Sequence, residues 1–78
     1  MNIYVGNLAP DVSEEELNGL FAEHGQVSSA KVIRDMFSQE SRGFGFVEMP
    51  AEAEGLAAIE KLNEKYFGGV RIRVKTAQ

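Results

Sequence analysis

The sequence predicts an α+β sandwich in which four antiparallel strands form one sheet and two helices cover one of its faces. Three observations lead to this fold. Four stretches alternate in the period of two that is typical of strands, two stretches repeat apolar residues with helical spacing, and the order is strand, helix, strand, strand, helix, strand. Right-handed connections in this order place both helices on the same face, with the first and third strands adjacent at the centre of the sheet.

Strand-like alternation opens the chain and returns after the first helix. Over residues 2–6 the aliphatic side chains alternate with other residues, so they face the core and Tyr4 faces away from it. The same alternation over residues 27–34 turns Lys31 outward. The first strand therefore presents Tyr4, and the second presents Lys31, on the face opposite the helices.

Two segments carry the helical pattern. Ser13 and Glu16 form a capping box that starts the first helix, and Gly25 is expected to end it as a left-handed cap. The second helix is expected over residues 51–63, where Gly55 weakens the middle. The two apolar stripes that face the sheet contain Leu17, Leu20, Phe21, Ala58, Ile59 and Leu62.

The third strand, residues 42–49, has two unlike faces. One face carries Arg42, Phe44, Phe46 and Glu48, and the other carries Gly43, Gly45, Val47 and Met49. The glycine-containing face allows helices to pack close to the backbone and is therefore expected to face the core. A shift of one residue in register would expose the aliphatic residues of all four strands, which costs more than exposing three rings. The two phenylalanines are thus expected in solvent.

The last strand and the two connecting loops complete the fold. Residues 70–75 alternate so that three basic side chains face outward, namely Arg71, Arg73 and Lys75. Residues 65–69 read as a turn in which Phe67 fills the core. In the loop 35–41, Phe37 is expected to anchor the loop on the edge of the sheet, and direct contact with a ligand is the alternative left open.

Composition limits the classes of function. Seventy-eight residues allow a single domain, expected over 1–78. The absence of cysteine excludes disulfides and thiolate metal sites, and the lone His24 makes a zinc site implausible, so we expect neither metal nor cofactor. No apolar run has the length of a membrane span and no signal peptide is recognisable, which favours the cytoplasm, or the nucleus in a eukaryote.

The formal net charge of −4 argues against binding of nucleic acid, but the charges are unevenly placed. Most acidic residues lie on or beside the predicted helices. The basic residues expected on the open face of the sheet are Lys31, Arg42, Arg71, Arg73 and Lys75, with Arg34 at its edge. Because salt screens charges beyond about 8 Å, the basic residues can attract a ligand in contact with this face, while the repulsion from the acidic residues behind it is weakened.

Two motifs resemble signatures of the RNA recognition motif family. Residues 42–49 resemble its octapeptide, which reads basic, Gly, aromatic, small, Phe, Val, any, aromatic, and residues 3–8 resemble its hexapeptide on the first strand. Met49, Glu64 and Val70 depart from the family pattern away from the aromatic face. The whole chain resembles the short single-domain bacterial RNA-binding proteins and the glycine-rich RNA-binding proteins without their tail. The resemblance implies a ferredoxin-like βαββαβ fold and binding of single-stranded RNA.

The resemblance also implies a role for each matching residue. Tyr4 would stack on the 5′ base of a dinucleotide, Phe46 on the 3′ base, Phe44 would lie between the riboses, and Arg42 would meet a phosphate. Contacts to base edges or backbone would come from neighbouring outward residues, namely Asn2, Lys31, Arg71, Arg73 and Lys75.

Other functions are compatible with this topology. A module of the same fold could bind a peptide or a partner protein, although exposed aromatics beside Arg42 favour bases. Acylphosphatases share the topology, but nothing around Arg42 and Asn7 forms a phosphate-binding nest, so no enzymatic activity is expected. The sequence leaves open binding of single-stranded DNA and leaves protein partners unknown. It favours a monomer that does not associate with membranes.

Overall fold

The computed structural model describes residues 1–77. Its elements, in chain order, are β1 (Asn2–Gly6), α1 (Glu14–Ala22), β2 (Ser29–Arg34), β3 (Ser41–Glu48), α2 (Glu52–Leu62), β4 (Tyr66–Phe67), β5 (Val70–Arg71) and β6 (Arg73–Thr76). The main sheet contains β2, β3, β1 and β6 in that spatial order, and each neighbouring pair is antiparallel. The first and third strands are therefore adjacent at the centre, as predicted, and the fold is the ferredoxin-like βαββαβ sandwich.

The core lies between the sheet and the helices. Ile3, Val5 and Val47 contribute from the two central strands, and Leu17 and Phe21 pack against them from α1. All five are essentially inaccessible to solvent. The inward faces predicted from the alternation are thus confirmed, and the opposite face of the sheet is left uncovered by helices.

Helix ends differ from the prediction at one point. The capping box is present, because the Ser13 hydroxyl accepts from the Glu16 amide and the Glu16 carboxylate accepts from the Ser13 amide. Gly25 is not a left-handed cap, since its φ is 153° and the helix has already ended at Ala22. In α2, Gly55 is buried against the Met1 side chain, which a β-carbon would approach to 2.5 Å, so this glycine serves packing.

The predicted strand over 70–75 is divided in two. Gly68 and Gly69 have φ of 66° and 87°, which form the tight turn of a small hairpin in which β4 pairs with β5. The chain pairs with β1 only from Arg73 onward. Phe67 is partly buried and packs against the core, as predicted.

The prediction for Phe37 was wrong, because its side chain is 91% exposed. The physical reason is local. The Asp35 carboxylate accepts hydrogen bonds from the amides of Phe37 and Ser38, at 2.9 and 3.0 Å, and closes a tight turn. That turn holds Phe37 at the tip of the loop instead of folding it onto the sheet.

Candidate nucleic-acid interface

The register of the four strands places the predicted residues in rows across the open face. Tyr4 is opposite Phe46 on one side and Lys75 on the other, and Phe46 is opposite Lys31. One continuous row therefore reads Lys31, Phe46, Tyr4, Lys75. The row below it pairs Asn2 with Glu48, and the row above it contains Phe44, Gly6 and Arg73.

The three aromatic rings form one cluster on the uncovered face. The centroid of Tyr4 lies 6.0 Å from that of Phe44, with 27° between the ring planes, and 5.9 Å from that of Phe46. The Phe44 and Phe46 rings are perpendicular at 6.1 Å. Phe46 is 38% exposed and the other two rings are half-buried, so each retains surface for a flat partner. Lys75 Nζ lies 5.3 Å from the Tyr4 centroid and adds a positive charge beside it.

Gly6 accounts for how the Tyr4 ring lies on the sheet. A β-carbon at Gly6 would be 2.6 Å from the Tyr4 hydroxyl oxygen and 2.8 Å from Cε1, so the phenol end of the ring rests over the glycine. Side chains on strands lean along the strand direction, and here the missing side chain two residues on leaves room for the ring to lie down. The sequence motif does not predict this contact, because it does not reveal the tilt of a ring.

Arg42 is exposed at the base of the loop, where the alternation of β3 is interrupted. Val32 is opposite Gly45 but Arg34 is opposite Ser41, so three residues of β3 bulge out against one of β2. Gly43 adopts a φ of 83° within this bulge, a value that favours glycine. Counting residues along β3 therefore does not determine on which face of the sheet Arg42 lies. The pKa of Asp35 in the loop is lowered mainly by hydrogen bonds from the amides of Ser38 and Phe37. The positive charge of Arg42 makes a smaller contribution in the same direction.

Arg71 lies on the hairpin and not on the main sheet, which corrects its predicted position. Its guanidinium carbon is 5.1 Å from the centroid of Tyr66, and Nη2 donates to the Tyr66 hydroxyl at 3.3 Å. The sequence pattern does not single out Tyr66, because it predicts only a turn over residues 65–69. The Gly68–Gly69 dipeptide, typical of a hairpin, was the signal that could have placed Tyr66 opposite Arg71.

A groove of about 390 Å³ runs along the β6 side of Tyr4. The lining residues are Tyr4, Gly6, Asn7, Asn63, Arg73, Val74 and Lys75. Asn7 has a φ of 56°, and its Nδ2 donates to the backbone oxygen of Arg71 at 2.7 Å. This bond ties the end of β1 to the hairpin. The groove joins the aromatic cluster to the basic residues of the last strand.

Residues 1–77 contain no group of three or more His, Cys, Asp or Glu side chains placed to hold a metal ion. Within the same residues, no helix combines the length and the apolar character of a membrane span.

Comparison with known proteins identifies the family. The family model for the RNA recognition motif matches residues 3–73. The protein RbpB of Nostoc sp. (strain PCC 7120) is 47% identical over 78 residues, which are 100% of this chain and 76% of the relative. A crystal structure of RNA binding protein PG1 is 52% identical with a TM-score of 0.96, and the match covers 99% of this chain and 93% of that one. A complex of the Sxl-lethal protein with RNA is 30% identical with a TM-score of 0.94, over 99% of this chain and 46% of that one. The chain belongs to the RNA recognition motif family.

Proposed function

We propose that this protein binds short segments of single-stranded RNA on the open face of its sheet. The observation that carries the proposal is the cluster of Tyr4, Phe44 and Phe46, whose centroids lie within 5.9 to 6.1 Å of one another on the face opposite the helices. Aromatic rings stack on bases of any sequence, and neighbouring cations meet the phosphates. A solved relative that forms a complex with RNA supports the proposal.

The residues of the face have distinct proposed roles. Tyr4 and Phe46 stack on successive bases, and Phe44 contacts the riboses between them. Lys31 and Lys75 stand at the two ends of the central row, where they can neutralise phosphates of a strand that crosses the sheet. Further contacts to base edges and backbone come from Asn2, Arg42 and Arg73, and from Arg71 where the RNA extends to the hairpin. No residue is assigned a catalytic role.

The expected affinity is modest. Stacking contributes roughly 1 to 3 kcal/mol per base, and ordering of the strand offsets part of it, so two stacked bases with a few phosphate contacts give a Kd of about a micromolar. Specificity for sequence should be modest as well, since stacking discriminates little among bases. Such binding suits post-transcriptional handling of RNA in the cytoplasm.

We propose a monomer because the outer strands of the sheet are covered at their centres. Glu14 Oε2 accepts from the Val32 amide on β2 at 3.0 Å, and Asn63 Oδ1 accepts from the Val74 amide on β6 at 2.9 Å. An edge amide occupied in this way is not available for pairing with the strand of another chain. Light scattering of the free protein would test this.

Replacing either stacking residue tests the function. We expect Tyr4→Ala and Phe46→Ala each to weaken binding of a short single-stranded RNA by about ten-fold or more, because each removes one stacked base. The measurement is a fluorescence titration at fixed salt, with thermal unfolding of each variant recorded alongside.

The matched control is Leu56→Ala, which removes an exposed apolar side chain from α2, on the helical side of the molecule. Its affinity should equal that of the wild type. Wild-type affinity in folded Tyr4→Ala and Phe46→Ala would rule out base stacking, and a peptide-binding role of this face would then be the better explanation. Parallel titrations with DNA of the same sequence decide whether the face distinguishes the two nucleic acids.

A further inference from the structure

Tyr66 and Arg71 form an exposed pair outside the aromatic cluster. Phe67 and Val70, which are opposite each other in the hairpin, pack against the core, so the neighbouring pair of Tyr66 and Arg71 faces away from it. Tyr66 is 64% exposed, and the Arg71 guanidinium lies over its ring. A large aromatic side chain held in solvent by a cation is available to a partner from outside the molecule.

This pair is continuous with the open face of the sheet. Arg71, Arg73 and Lys75 are all exposed and alternate with the buried Ile72 and Val74. Lys75 is opposite Tyr4, and four residues of extended chain correspond to about 13 Å. Asn7 lines the groove beside Tyr4, and its Nδ2 donates to the backbone oxygen of Arg71, so the backbone of the hairpin adjoins a residue of the groove. No helix lies between Arg71 and Lys75 in the chain, and Lys75 is paired directly with Tyr4.

The chemistry of the pair suits a nucleotide. An arginine guanidinium can stack on a base and meet a phosphate at the same time, and a tyrosine ring beside it offers a second stacking surface. About 13 Å of extended chain separate Arg71 from Lys75, the residue opposite Tyr4, so a base stacked on Tyr4 does not reach the pair and a further nucleotide is required. We propose that Tyr66 and Arg71 form an additional nucleotide-binding subsite, which is used only by RNA longer than the dinucleotide held on the aromatic cluster. The proposal rests on the RNA-binding function proposed above.

Binding of RNAs of two lengths distinguishes the contribution of this subsite from that of the aromatic cluster. Tyr66→Ala should leave the affinity for a dinucleotide unchanged and weaken binding of an octanucleotide by about three- to ten-fold at the same salt concentration. Tyr66→Phe retains the ring and should bind both RNAs as the wild type does. Tyr4→Ala should weaken both, and Leu56→Ala should weaken neither.

A second measurement uses the wild-type protein, so its result does not depend on correct folding of the hairpin in a variant. In the wild-type protein, the amide NMR signals of residues 66–71 should shift on addition of the octanucleotide and remain unchanged on addition of the dinucleotide. The subsite is refuted if these signals do not respond to the longer RNA, or if Tyr66→Ala affects both RNAs equally. It is also refuted if Tyr66→Ala affects neither RNA while Tyr4→Ala weakens both. Failure of Tyr4→Ala to weaken either RNA would instead contradict the aromatic cluster.

Discussion

The glycines differ in how much space the structure leaves for an added β-carbon. A β-carbon at Gly6 would meet only the far end of the Tyr4 side chain, which can move, whereas at Gly45 it would collide with the backbone oxygen of Lys31 on the neighbouring strand. Gly19 on α1 has nothing within 4 Å of such a β-carbon. Replacement by alanine should therefore affect the binding surface at Gly6, the fold at Gly45, and helix propensity alone at Gly19.

Gly6→Ala tests the contact between residue 6 and the Tyr4 ring. The new methyl group should lift the Tyr4 ring off the sheet, so we expect RNA affinity to fall by about three- to ten-fold with the free energy of unfolding changed by less than about 1 kcal/mol. RNA titration and denaturant unfolding measure the two effects. In a Tyr4→Ala background, Gly6→Ala should cause no additional loss.

Gly19→Ala provides the matched control, because it adds the same methyl group on a helix. It should stabilise the protein by up to about 1 kcal/mol and leave RNA binding unchanged. If Gly6→Ala binds RNA as well as the wild type does, the orientation of the Tyr4 ring does not depend on Gly6.

Among the elements, the loop between β2 and β3 owes its shape to one carboxylate. Asp35 accepts from the amides of Ser38 and Phe37, and these two bonds are the main causes that lower its pKa below the usual 3.8. Gln39 has a φ of 64° at the end of the same turn. These contacts define the turn although Met36 and Phe37 at its tip are exposed.

The loop should therefore open in acid. Because the pKa of folded Asp35 is lowered, its contribution is fully present above the ordinary pKa of 3.8 and is lost as the pH falls through the folded value. We expect hydrogen exchange at the amides of Phe37 and Ser38 to lose protection, relative to the intrinsic rate, only below about pH 4. Asp35→Asn can make the same bonds without titrating, so its protection should not depend on pH in this range. Equal pH dependence in the two proteins would contradict this account of the turn.

Charge is divided between the two sides of the molecule. The protein has twelve acidic and eight basic residues, and the first turns of both helices are acidic, with Glu14, Glu15 and Glu16 in α1 and Glu52 and Glu54 in α2. The open face carries Lys31, Arg73 and Lys75. Screening over about 8 Å at physiological salt lets these cations act on a strand in contact with them.

We therefore expect a shallow dependence of RNA affinity on salt, equivalent to about one to three phosphates neutralised. The slope of log K against log salt concentration for a short RNA measures this number. Lys75→Ala should reduce the slope by less than about one unit and weaken binding similarly for all sequences, since it removes one phosphate contact. A slope equivalent to more than about five phosphates would contradict this number of phosphate contacts.

The sequence alone determined the order of the elements, the two faces of the central strands and the grouping of Tyr4, Phe44 and Phe46. These features follow from local periodicity, because a residue two positions along a strand must return to the same face, and burial of the aliphatic residues permits only one register. Tertiary structure alone decided the bulge at Gly43, the hairpin that moves Arg71 next to Tyr66, the exposed Phe37 and the tilt of Tyr4 over Gly6. Each of these depends on hydrogen bonds or contacts between specific atoms brought together by folding, and no pattern of apolar and polar residues encodes such contacts.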